Sequence, residues 1–156
     1  MNKIIKNLKF LLISIILSCV SFYSTHTHAL SSEWAVNDKS KVRLISSKTA
    51  TDNQNLILLG LEYQLEPGWK TYWKSPGGGG FPQMIVWNNS ENISNIDLEW
   101  PTPSEFEILG LTSIGYYDRV VFPLKLKLLD KNKTTKINLN TNYLVCKNIC
   151  IPGNAN

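Results

Sequence analysis

RVVFPLKLKL, residues 119–128, alternates regularly enough to set the fold. Val120, Phe122, Leu124, Leu126 and Leu128 fall on one side, with Lys125 and Lys127 on the other. Successive side chains of a β-strand point to opposite faces, so a period of two marks a strand with one buried face. The pattern recurs on both sides of this stretch. Asn55 to Leu65 sets Ile57, Leu59, Leu61, Tyr63 and Leu65 against Gly60, Glu62 and Gln64. Lys136 to Val145 sets Ile137, Leu139, Tyr143 and Val145 against Lys136, Asn138, Asn140 and Asn142. Shorter candidates are Lys41 to Ser46, Trp69 to Lys74, Gln83 to Trp87 and Ile96 to Trp100. No long stretch has helical period. About seven short strands separated by Gly, Pro, Asn and Asp clusters predict an all-β, immunoglobulin-like β-sandwich. Pro123, inside a strand pattern, predicts a sheet edge or a bulge.

Two segments interrupt the pattern. Ser75-Pro76-Gly77-Gly78-Gly79-Gly80 lacks the Lys-Ser/Thr and the following helix of a phosphate loop, so it is expected to be a flexible inter-strand loop. PTPSEFEILGLTSIGYY (101–117) mixes prolines, acids and apolar residues and is expected to be a long functional loop. Trp69, Trp73, Trp87 and Trp100 could stack on sugars, but in a small sandwich they are better assigned to core packing. Asn92-Ile93-Ser94 has the form of a glycosylation triplet, which arises easily by chance in so Asn-rich a chain.

The first 29 residues have a different character. Lys3, Lys6 and Lys9 precede an apolar run from Phe10 to Val20, and Thr27-His28-Ala29 offers small residues for signal peptidase. This predicts a cleavable secretory signal over 1–29, and an exported domain over 30–156. The run is short of the ~20 residues a membrane span needs, and Ile16-Leu17-Ser18 fits a lipidation motif at Cys19 poorly. Cleavage would remove Cys19 and both histidines, His26 and His28. The domain would then have no imidazole for a Ser-His or Cys-His nucleophile or for a metal. Three lysines would leave too, so the 16 Lys and Arg fall to 13 against 12 Asp and Glu, and +4 falls to +1. That balance gives no nucleic-acid footprint.

Cys146 and Cys150 remain, separated by Lys147-Asn148-Ile149. In an extended strand, residues four apart are ~13 Å apart, beyond the ~7 Å reach of a disulfide. A bridge therefore needs a three-residue turn, for which Asn148 is suited because Asn tolerates positive φ. Parity places Cys146 on the face of Asn140 and Asn142, expected to be partly open. So short a bridge removes less unfolded-state entropy than the ~3 kcal/mol of a 15-residue loop, and Lys147 would favour a neighbouring thiolate. A redox dithiol, a local staple and a metal site all stay open, the first favoured.

PGWKTYWKSPGGGGFP (66–82 with its preceding Glu66), WPTPSEFEILGLTSIGYYDRVVFPLKL (100–126) and NYLVCKNICIP (142–152), in that order, resemble the N-terminal domain of the DsbD transmembrane disulfide reductase family and its ScsB, copper-tolerance, relatives. The resemblance implies an immunoglobulin-like domain that takes electrons from a membrane-embedded reductase domain and passes them to periplasmic thioredoxin-like partners. Such relays serve cytochrome c biogenesis and copper tolerance. No cofactor, nucleic acid or small-molecule substrate is implied. The redox pair falls on Cys146 and Cys150, the second forming the mixed disulfide with partners. A cap loop falls on Glu105 to Leu111, with Phe106, Ile108 or Leu109 as an apolar lid, and a nearby aromatic matches Tyr72. The C-x3-C spacing is tighter than in the best-known DsbD members and closer to ScsB relatives. The chain ends six residues after Cys150, so no final strand, linker or membrane helices are expected, and a fragment, a gene product truncated at its C-terminus and a stand-alone carrier all stay open.

Two other functions compete. Cys146 and Cys150 could be soft copper(I) ligands with Met84 as a third, though without the His that copper chaperones add. Alternatively the domain is a non-catalytic interaction or glycan-binding sandwich, whose activity would survive loss of both cysteines.

Overall fold

The computed structural model describes residues 30–48 and 53–156. The expected export signal, residues 1–29, lies outside them. Among the described residues the chain forms twelve strands and no helix. In chain order these are β1 (Leu30–Ser31), β2 (Ala35–Asn37), β3 (Ser40–Ser46), β4 (Leu56–Leu65), β5 (Lys70–Gly77), β6 (Met84–Val86), β7 (Ile93–Leu98), β8 (Ser104–Ile108), β9 (Leu111–Tyr117), β10 (Arg119–Leu128), β11 (Asn140–Cys146) and β12 (Cys150–Ala155). One sheet runs β1-β3-β4-β10-β7 with β2 also on β3; the other runs β12-β11-β5-β9-β8 with β6 also on β11. Every pairing is antiparallel. The architecture is the expected all-β, immunoglobulin-like sandwich.

The alternation of residues 119–128 acts as expected. Val120, Phe122, Leu124, Leu126 and Leu128 are buried, while Lys125 and Lys127 are exposed. Full burial of each such side chain contributes about 1.5–3 kcal/mol. Phe122 is the hub of the core: Tyr63, Tyr116 and Trp100 meet its ring edge-on at 5.3, 5.2 and 5.3 Å. The buried tyrosines keep their hydroxyls paired. Tyr63 bonds Thr141 (2.7 Å), Tyr143 bonds Ser40 (2.8 Å), and Tyr116 donates to the Pro101 carbonyl (2.8 Å). The first two bonds cross between the sheets and fix their relative position. Trp69 is buried in this core, and Trp73, Trp87 and Trp100 pack against it, so the tryptophans serve packing.

Several local expectations change. Pro123 lies in β10, between β4 and β7, not at an edge, and the irregularity of the β10–β7 ladder falls at Lys127/Leu128 instead. In antiparallel pairing a residue's N and O point to the same neighbour. The Pro123 carbonyl accepts from Glu99 N (2.8 Å), one residue past the end of β7, so the missing N–H falls where that ladder stops. Residues 101–117 are mostly a hairpin, β8–β9, rather than a long loop. Its alternation was obscured by the unusual turn Leu109-Gly110. The glycine run is half strand: Gly77 pairs with Ser113 and Gly78 N donates to Thr112 O (2.8 Å). The strand expected from Lys136 begins only at Asn140, Lys136 making an isolated bridge to Glu91. Finally, Cys150–Ala155 does form a strand, β12, in register with β11. Pro152 is tolerated there because β12 is an edge strand.

Candidate functional site: a disulfide on the outer face of the second sheet

Cys146 closes β11 and Cys150 opens β12, and the two are directly opposed in register. Lys147-Asn148-Ile149 makes the turn, bringing the Cα atoms to 4.1 Å and allowing the disulfide. Asn148 is not among the residues with positive φ, so the turn needs no left-handed residue there. Cys146 also faces Lys70 of β5, which faces Tyr117 of β9. Cys150, Cys146, Lys70 and Tyr117 therefore form one row across four strands, with side chains on a common face.

That face proves closed over Cys146 rather than partly open. Cys146 is 0 % exposed, in a small cluster with Tyr72, Phe106 and Ile108, with Leu144 packed against it. Parity gave the face correctly but could not show that Phe106 and Ile108 would cover it. Cys150 is exposed. The bridge thus joins a buried cysteine to an exposed one.

Tyr72 touches both. Its hydroxyl donates to Cys146 Sγ at 3.1 Å and lies 3.9 Å from Cys150 Sγ. Burial pushes the phenol up from its ordinary value, so it stays protonated and able to donate. The ring packs 5.9 Å from that of Phe106, and Gly80 lies against it. Beneath, Gln83 Nε2 donates to Thr71 Oγ1 (2.7 Å), which donates to the Leu144 carbonyl (3.0 Å). This ties the residues after the glycine run to β5 and β11.

Of the expected lid residues, Phe106 and Ile108 reach the sulfurs' cluster and Leu109 does not. Leu109 is 70 % exposed at the tip of the β8–β9 turn, at φ 53, followed by Gly110 at φ 76. Met84 is exposed on β6 and pairs with Asn142, four residues along β11 from Cys146, or ~13 Å. The copper(I) triad is therefore not brought together. Lys147 reaches away: its ammonium donates to the Pro67 carbonyl (3.2 Å). Lys70 was missed, although the parity of Lys70, Tyr72 and Lys74 in β5 already set it on the face of Tyr72.

Over residues 41–156 the chain matches the family described as thiol:disulfide interchange protein DsbD, N-terminal. Among solved structures it resembles the crystal structure of the N-terminal periplasmic domain of ScsB from Proteus mirabilis, with 34 % identity and a TM-score of 0.68. That match covers 82 % of this chain and 50 % of the other, so the chain spans about half the length of the protein it resembles. No curated protein matches the chain. A disulfide-bonded cysteine pair on an immunoglobulin-like sandwich and a family match over most of the chain agree, and the chain belongs to the DsbD N-terminal domain family.

Proposed function

We propose that the domain relays electrons in the periplasm by thiol–disulfide exchange between a membrane-embedded reductase domain and thioredoxin-like partners. Residues 1–29 would be the cleavable export signal of the 30–156 domain. Cys146 and Cys150 are the redox pair, Phe106 and Ile108 the lid, and Tyr72 the residue that steadies the buried sulfur. The observation that carries this reading is the asymmetry of the bridge: Cys150 is open, whereas Cys146 is buried beside a phenolic donor.

In the oxidised domain, a donor thiolate attacks Cys150 Sγ in line with the S–S bond. Cys146 Sγ leaves with the bonding pair, and its thiolate accepts the Tyr72 hydrogen bond. A second donor thiol then resolves the mixed disulfide, leaving a donor disulfide and a reduced domain, two electrons richer. Running outward, the Cys150 thiolate attacks an acceptor disulfide, and Cys146 attacks Cys150 to release the acceptor as a dithiol. Access selects the sulfur that meets partners, and the acidity of the other governs how readily it leaves.

Trapping tests this. Cys146→Ser should accumulate a mixed disulfide with a thioredoxin-like partner through Cys150 on a non-reducing gel, and Cys150→Ser far less. Stronger trapping by Cys150→Ser would reverse the roles, and no trapping by either would argue against the relay.

A further inference from the structure

Exchange at Cys150 creates an anion on Cys146, and the row of residues through Cys146 contains one cation. Lys70 is the direct cross-strand neighbour of Cys146, on the same face, where paired Cβ atoms are about 5 Å apart. The residue is half-buried, and its ammonium lies near two aromatic rings, 5.8 Å from the Phe106 ring and 5.3 Å from that of Tyr117, with the Gly68 carbonyl 3.4 Å away. Among the described residues no carboxylate pairs with it.

Lys74 shares the face of Tyr72 but sets its ammonium over the Trp73 ring at 5.1 Å, and the other charged and titratable groups around the site are occupied or face away. Glu105 and Glu107 are exposed on β8, on the side opposite Phe106 and Ile108. Asp118 accepts from Gly68 N (2.8 Å). Lys147 is held at Pro67. Tyr72 supplies a neutral hydroxyl. The oxidised site therefore holds, among the described residues, a cationic side chain with no carboxylate partner, on the residue directly across the ladder from the cysteine whose sulfur becomes negative when the bridge opens. An opposite charge close to a thiolate favours the charged form of the sulfur.

We infer that Lys70 is a positioning residue for exchange, whose ammonium stabilises the Cys146 thiolate as the leaving group when Cys150 is attacked. The inference rests on the exchange reading above. The step is the one already balanced: the donor's sulfur bonds to Cys150, the Cys146–Cys150 bond breaks, and the electron pair stays on Cys146. Lys70 does not give up its proton; it supplies charge. The same ammonium faces Phe106, so its placement also depends on the lid.

The test is the titration of Cys146 in a Cys150→Ser background, followed by the ultraviolet absorbance of the thiolate. Lys70→Gln and Lys70→Met should each raise the midpoint by about one unit, Lys70→Arg should restore it, and Lys147→Gln should leave it in place. With both cysteines present, Lys70→Gln should slow reduction by dithiothreitol about threefold, following leaving-group acidity. A Lys70→Gln midpoint equal to the parent's would overturn the inference, as would Lys70→Arg titrating like Lys70→Gln. The titration needs no partner protein. A domain that fails to exchange with thioredoxin-like proteins would defeat the proposed relay while leaving Lys70 measurable.

Discussion

Gly80 lies flat against the ring of Tyr72, so close that a Cβ on Gly80 would stand 2.3 Å from the ring carbons. Gly80 also has φ +92, a conformation side chains rarely adopt. The glycine run is thus a strap over the phenol that touches Cys146. Gly80→Ala should destabilise the domain by about 1–3 kcal/mol, read by urea unfolding. It should also slow reduction of the disulfide by displacing the Tyr72 hydroxyl. An alanine variant with parental stability and reduction rate would show that the strap does not position Tyr72.

The lid residues should separate in an alkylation assay. Phe106→Ala and Ile108→Ala remove cover from Cys146, so reduced protein should react faster at Cys146 with a bulky maleimide. Leu109→Ala should not, because Leu109 is exposed at the turn tip. Equal rates in all three variants and the parent would remove the lid from the account.

Leu109 offers a separate test of the turn. A two-residue hairpin loop with positive φ at both positions is the geometry that Asn-Gly adopts readily and a bulky residue does not. Leu109→Asn should raise stability by about 0.5–1 kcal/mol. A loss of stability would mean that Leu109 makes a contact worth more than the strain.

Reduction should leave the domain folded. The bridge closes a short turn that β11–β12 pairing already holds, from Thr141↔Ala155 to Val145↔Ile151. The melting temperature should fall by less than about 10 °C on adding dithiothreitol. A larger fall would make the bridge a staple.

Stability should also fall in acid through Glu62. This carboxylate is 3 % exposed on the outer face of the first sheet, held by Arg43 Nε and Arg119 Nε at 2.7 Å each. Burial pushes its carboxyl up, but the two arginines together outweigh this and hold it below the ordinary value. A carboxyl lowered in the folded state stabilises fully above its unfolded value and loses that contribution as pH falls through the folded one. Unfolding free energy should therefore drop below about pH 4.5, and Glu62→Gln should flatten that part of the profile. An unchanged slope in the variant would assign the acid sensitivity elsewhere.

The sequence by itself determined the sandwich and the pair. Period-two burial in residues 119–128 and 56–65 is a local property of a strand facing a core, so it can be read without knowing what the core contains. Cys146 and Cys150 were identifiable as a pair, and the face of Cys146 followed from counting along β11. Only the tertiary structure decided what covers that face. Phe106 and Ile108 lie some forty residues from Cys146 in sequence, and the closed cluster they form depends on how the β8–β9 hairpin is placed. Lys70 became visible for the same reason. Sequence proximity favoured Lys147, but chain neighbours at a turn point outward, whereas a cross-strand partner shares the face. The strand after Cys150 was missed because only six residues follow it; Pro152 among them forbids a central strand and permits an edge one, and only the sheet order distinguishes the two.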